Sequence, residues 1–152
     1  MRIARFFITM RKMTITTMLC LVSLLCVCPP APTVKKDRVI RKLHEAKWER
    51  MVDAITFVES RNDDHAYNET SGALGRFQMK KIYVDDANRI SQLKGLGKRF
   101  SYHDRTDRVK AREMFDIVQE HYNPEKSINK AIRLHRGKKS PKYEREINKL
   151  IH

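Results

Sequence analysis

One glutamate in this sequence sits where a carboxylate is out of place. In FVESRNDDHAYNETSGALGRFQM, residues 57–79, an apolar run stops on Glu59. Glu59 falls four residues after Ile55 and seven after Val52. A helix through this segment carries it on or beside the apolar face. Glutamate is rarely buried without a partner. A loop follows from Ser60 to Arg76, built from turn formers such as Asn62, Asp63, Asp64, Asn68, Ser71, Gly72 and Gly75. A carboxyl partly buried among apolar neighbours loses stability in its charged form, and an acid near neutral pKa can protonate a leaving oxygen. A glutamate at the end of a buried face, walled by a turning loop, therefore fits a general acid. The same spacing also fits a plain helix-terminal residue that pairs with Arg61 or Lys80.

The elements that must position Glu59 read as helices. Trp48, Met51, Val52, Ile55 and Val58 recur at spacings of three and four, which predicts a helix over Val39 to Glu59. A second is expected over Phe77 to Ile90, with Met79, Ile82, Tyr83, Ala87 and Ile90 on one face. Gln92 to Asp104, with Gly95 and Gly97, reads as a connection. A third helix over Thr106 to Tyr122 groups Ala111, Met114, Phe115, Val118 and Tyr122. Asn123-Pro124 and Ser140-Pro141 both read as a cap followed by a first-turn proline. Behind them come Ile128, Ala131, Ile132 and His135, then Tyr143, Ile147, Leu150 and Ile151. No segment alternates convincingly as a strand, though a short hairpin fits inside Asp64 to Leu74. The expectation is one compact, mainly helical domain over residues 35–152.

Residues 1–34 read differently. Arg2, Arg5, Arg11 and Lys12 precede an uncharged stretch, Met13 to Val34, whose centre is MLCLVSLLCVC. A basic start before a short apolar region is the pattern of a signal peptide, with an N-terminal membrane anchor as the alternative. Leu precedes Cys20 and Cys26 and Val precedes Cys28, which speaks against a lipid-attachment site. Pro29 to Lys36 reads as a linker. These are all three cysteines, so the domain has neither a disulfide framework nor a thiolate metal site. The chain holds 32 Lys and Arg against 18 Asp and Glu. Four of the basic residues and no acidic one precede residue 35, so the remainder carries +10. For an exported protein that balance points to an anionic envelope surface or polymer, in the periplasm or cell envelope. No nucleic-acid motif accompanies the charge, and nucleic acid is not expected as a partner.

Glu59-Ser60, a polar loop, and then Gly72-Ala73-Leu74-Gly75-Arg76-Phe77-Gln78-Met79 resemble the soluble lytic transglycosylases of the lysozyme-like superfamily. Their signature is an ES pair followed by G-A-x-G-L-x-Q-[IM]. Ala66-Tyr67-Asn68 is similar to the family's A-x-N before the glycine motif. The resemblance spans roughly Trp48 to Ile151. It implies a mainly α fold of the lysozyme-like α+β superfamily with a catalytic loop. It implies Glu59 as catalytic acid, and substrate contacts at Ser60, Tyr67, Asn68, Gly72, Gly75 and Gln78. Arg76 stands where the family has an apolar residue. The family's third motif, an aromatic-Asn-x-Gly, is met by His135-Arg136-Gly137-Lys138. His135 offers a ring to a sugar, and Arg136 replaces the asparagine.

The activity so implied is cleavage of the bond between N-acetylmuramic acid and N-acetylglucosamine in peptidoglycan strands. Glu59 protonates the bridging oxygen, then accepts the 6-hydroxyl proton as a 1,6-anhydro ring closes. Neither metal nor cofactor is required, and the six histidines show no pair at helical ligand spacing. Hydrolysis would instead need a second carboxylate, for which Asp63, Asp64, Glu69, Asp85 and Asp86 are the candidates. Asp63 and Asp64 also read as solvated turn residues. Tyr67, Tyr83, Tyr102 and Tyr122 fit either sugar contact or packing. His65, His103 and His121 read as exposed. Arg133, Arg136, Lys138, Lys139, Lys142 and Arg145 form a late basic cluster that suits acidic groups of wall peptides or anionic lipids, and equally a solvated face. The competing expectation is a hydrolytic or non-catalytic relative that binds peptidoglycan as a scaffold in an envelope-spanning assembly.

Overall fold

The structure is a computed structural model that describes residues 34–152. The expected export segment, apart from Val34, and the three cysteines lie outside these residues. The chain divides into two units, Met1–Val39 and Ile40–His152. Of the first, only the opening turns of a helix are described. No helix among the described residues is long and apolar enough to cross a membrane.

The described chain is mainly helical, with one two-stranded sheet. Helix α1 runs over Val34–Ser60. It starts inside the expected Pro29–Lys36 linker, because Val34, Lys35 and Lys36 offer nothing that breaks a helix. Its second half buries Trp48, Met51, Val52 and Ile55. The helix stops where Arg61 and Asn62 take left-handed backbone angles, φ 58° and 65°. Their amides bond back to the carbonyls of Phe57 and Thr56. The Thr56 hydroxyl also donates to Asn62 Oδ1 at 2.6 Å.

The loop then makes the short hairpin, strands β1 (Tyr67–Asn68) and β2 (Ala73–Leu74). Tyr67 pairs with Leu74 and Asn68 with Ala73. The chain turns again at Gly75 and returns so that Leu74 and Met79 form an isolated bridge. Gln78 takes φ 48° in that turn. The second helix therefore begins at Lys81 and not at Phe77: α2 spans Lys81–Leu93. Backbone pairing of Met79 with Leu74 wins over helical periodicity there. The shift turns Ile82 out to 74 % exposure and puts Val84 in the core beside Ala87 and Ile90.

The connection after α2 is held by its side chains. Asn88 bonds both the amide and the carbonyl of Phe100, at 2.7 and 2.9 Å. A 3-10 turn, Tyr102–Thr106, lies within it. Helix α3, Arg108–Tyr122, starts at Asp107, whose carboxylate accepts from the amides of Val109 and Lys110. Tyr122 falls off the buried face expected for it.

Asn123-Pro124 does not start the next helix. Asn123 ends α3 as a fully buried residue, bonding the carbonyl and amide of Ser127. Helix α4, Ile128–Arg136, then begins after Ser127 and closes on Gly137 at φ 71°. Helix α5, Pro141–Ile151, starts on Ser140 with proline in its first turn, as expected. Leu150 is exposed, while Tyr143, Ile147 and Ile151 are buried.

One core joins these faces. Helix α3 packs on α2, the 3-10 turn and α4, and α4 packs on α5. Phe77 stacks on Phe115 with centroids 5.1 Å apart. Both rings are buried, and each such side chain contributes about 1.5–3 kcal/mol.

The two loop glycines differ sharply. A Cβ at Gly75 would collide with the carbonyl of Arg105, and its φ is +80°. A Cβ at Gly72 meets nothing, although φ is +66°. Gly72→Ala should cost about 1–2 kcal/mol of stability through backbone conformation alone. Gly75→Ala should cost more than about 3 kcal/mol, since the 3-10 turn must also move. Urea unfolding of both variants measures the difference; equal midpoints would contradict this packing.

Candidate active site

Glu59 is the penultimate residue of α1, and its side chain is 12 % exposed. It opens into a cleft of about 990 Å³. Asn68, Gln78 and His135 line the same cleft, so four residues of the expected site come together there. Helix α4 supplies two groups close to the carboxylate. His135 Nε2 lies 3.8 Å from Glu59 Oε1, and Arg136 Nη1 lies 4.0 Å from it. Both exceed hydrogen-bond length. Neither Arg61 nor Lys80 is the ion-pair partner of Glu59. Burial and the nearby Glu59 carboxylate push the Tyr143 phenol far above its usual range. It therefore stays protonated near the acid, with its buried hydroxyl making no hydrogen bond among the described residues.

His135 is built in rather than laid open. Its ring is 4 % exposed and packs edge-on to Phe77 and Tyr83 and at a tilt to Phe115. Burial holds its pKa below the usual imidazole range, and Arg136 adds to this. Glu59 and the Phe77 backbone pull the other way. A ring enclosed in this manner sets Nε2 near Glu59, buries Nδ1 without a hydrogen-bond partner among the described residues, and has no open face of the kind that stacking on a sugar needs.

The remaining expected residues hold the loop. The Ser60 hydroxyl donates to the Arg76 carbonyl at 2.9 Å, with the Thr56 carbonyl at 3.1 Å sharing the proton. Gly75 is pressed against Arg105, and Gly72 offers its carbonyl to the same residue. None of these three lines the cleft. Tyr67 does not line it either and is 62 % exposed. Gln78 lines it while its amide is engaged with the carbonyls of Ala66 and Gly75. Asn68 Oδ1 accepts from the Ser71 amide. Arg76 takes up its unusual place by pairing with Asp64 at 2.9 Å.

Arg105 is the residue that local sequence reading missed. It is 6 % exposed. Its guanidinium donates to the carbonyls of Tyr102 at 2.7 Å, Gly72 at 3.1 Å and Met79 at 3.0 Å. Burial lowers its pKa, yet arginine remains charged. Nothing in its neighbourhood in the chain marks it, because its partners lie 26 and 33 residues away.

The candidate second carboxylates divide into two groups. Asp64 is taken by Arg76 and Arg108, and Asp63 accepts the His65 amide. These, with Glu69, lie outside the cleft lining. Asp85 and Asp86 line the cleft from α2, each with a partner: Tyr102 at 2.9 Å and Arg89 at 2.7 Å. Tyr83 lies in the cleft wall with its hydroxyl buried, and Tyr122 joins the Asp86–Arg89 pair at the rim. Tyr102 faces a neighbouring hollow. His65 and His103 are exposed as expected, while His121 is half-buried.

His135 makes stability depend on pH with a definite sign. Its folded pKa lies below the unfolded value of about 6.5. Below that pH the unfolded chain binds a proton that the folded chain refuses. The stability it contributes is present above about 6.5 and is lost as pH falls toward the depressed folded pKa. His135→Gln should flatten the urea-unfolding profile between pH 7 and 5, by at most about 1.4 kcal/mol per pH unit. Parallel profiles for variant and wild type would show that the ring protonates freely in the folded state.

The chain matches no family model, no curated protein and no solved structure.

Proposed function

We propose that this chain is an exported, peptidoglycan-cleaving enzyme of lysozyme-like fold, acting as a lytic transglycosylase with Glu59 as its one acid and base. The observation that carries this reading is one largely buried carboxylate, Glu59, at the cleft, where the other two lining carboxylates, Asp85 and Asp86, are bound to Tyr102 and Arg89. Glu59 opens into a cleft large enough for sugars, while the carboxylates of its own loop are engaged elsewhere. With those carboxylates engaged, Glu59 performs both proton transfers in this reading. Protonated Glu59 gives its proton to the oxygen bridging N-acetylmuramic acid and N-acetylglucosamine, and the C1–O bond breaks. The muramic acid 6-hydroxyl attacks C1 and returns its proton to Glu59. A 1,6-anhydro ring forms, no water is consumed, and the acid is regenerated. Tyr143, kept protonated by burial, adds no second charge beside Glu59. Buried His135 stays neutral near pH 7 and leaves the proton to Glu59. The basic start, the apolar stretch after it and the positive charge of the remainder support export to an anionic envelope.

Arg136 favours a second reading, in which the cleft binds glycan strands without cutting them, as part of an envelope assembly. It places a cation 4.0 Å from the carboxylate. A guanidinium there draws Glu59 toward itself and away from a sugar oxygen.

Mass spectrometry of purified peptidoglycan incubated with the protein separates these readings. Wild type should release anhydro-muropeptides, and Glu59→Gln should lower the rate by about 10²–10⁴-fold, the usual worth of a general acid. Reducing-end products that vanish in the variant would make it a hydrolase, with Asp85 or Asp86 as the partner carboxylate. Binding without any product would establish the scaffold reading.

A further inference from the structure

Four cations line the cleft that holds Glu59: Arg136 at the end of α4, Lys138 just past its Gly137 cap, Lys80 before α2 and Arg89 within α2. Lys80 and Lys138 form no ion pair among the described residues. Arg89, in the same cleft, is by contrast bound to Asp86 and Tyr122. The Arg136 guanidinium lies over the Tyr143 ring, 5.1 Å from its centroid. Packing on a ring engages the face of a guanidinium and not its edge donors, and Arg136 makes no hydrogen bond among the described residues. The side chain is 42 % exposed, and its contact with Glu59 at 4.0 Å is too long for a hydrogen bond. A stacked guanidinium with unspent donors is a carboxylate receptor.

We propose that Arg136, supported by Lys138 and Lys80, binds a carboxylate carried on the sugar ring itself. The cleft then selects glycan strands whose 3-O-lactyl carboxylates are free over strands in which that group is an amide to peptide. This rests on reading the cleft as a glycan site. Proximity decides between the two sources of carboxylate. A guanidinium this close to the catalytic acid lies beside the reacting ring. The lactyl carboxylate hangs from that ring by a single ether, whereas the peptide carboxylates begin beyond an amide and lead away from it. The reaction that must supply such a substrate is hydrolysis of the lactyl amide. Water is consumed, the C–N bond breaks, the lactyl group becomes a carboxylate and the peptide leaves as an amine.

The test is binding, read on the full chain carrying Glu59→Gln so that strands stay intact. Three soluble strand preparations are titrated: peptide-free with lactyl carboxylates, the same strands with those groups converted to methylamides, and peptide-bearing. The carboxylate form should bind at least about ten-fold tighter than the methylamide, the usual worth of a charged hydrogen-bonded pair. Adding Arg136→Gln should bring the two within about two-fold, and Arg136→Lys should keep part of the preference, since charge remains but the fork is lost. Equal affinity for carboxylate and methylamide strands overturns the proposal. So does tightest binding of peptide-bearing strands, which would move recognition to the peptide. Failure of the folded protein to bind any strand has a different signature and removes the glycan reading as well.

Discussion

A buried arginine without a carboxylate supports the wall of the cleft. Arg105 brings a full positive charge inside and spends it on three backbone carbonyls, of Tyr102, Gly72 and Met79. Taking an ion out of water costs several kcal/mol, so these charge-assisted bonds must be kept for the fold to keep the residue. They join the 3-10 turn, the hairpin turn and the strand return in one place. Gly75 rests on the backbone carbonyl of the same residue. The loop that carries Asn68 and Gln78 to Glu59 therefore stands on residue 105. Because no acid competes for the guanidinium, its donors are free to hold main chain.

That support allows strained backbone to persist. Arg61, Asn62 and Gln78 all have positive φ without being glycine. Each such residue costs about 1–3 kcal/mol and survives only where its surroundings over-determine it. Here they do: Thr56 holds Asn62, Ser60 holds the Arg76 carbonyl, and Gln78 ties two loop carbonyls through its amide. These three belong to the segment that walls the cleft, and a fourth, Lys126 at φ 51°, lies apart from it between α3 and α4.

The chemistry of the site follows from where α1 ends. Glu59 sits in the last turn, where the helix dipole is negative and gives a carboxylate no help. The compensation comes from outside the helix, from Arg136 at the end of α4. His135 fills the space between with a neutral ring locked among Phe77, Phe115 and Tyr83. A single carboxylate thus meets a cation, a phenol and an imidazole edge, each from an element remote in sequence.

Much of this is legible in the residues, and the division has a physical cause. Helical faces repeat within a few residues, so Trp48, Met51, Val52 and Ile55 announce α1, and Ser140-Pro141 announces α5. The apolar context of Glu59 is equally local, which is why the acid stands out in the sequence. The glycines also mark the turns, though not their purpose: Gly75 serves a backbone approach from Arg105. Where local signals compete, they mislead. Phe77 to Met79 continue the periodicity of α2, yet Met79 pairs with Leu74 instead, and Asn123-Pro124 looks like a helix start but closes α3. Neighbours along the chain are enough to specify a helical protein, an acid at a helix end and the loop beside it. What faces that acid is set by packing between distant segments. The positions of Arg105, His135, Arg136 and Tyr143 depend on those long-range contacts, which no local pattern encodes.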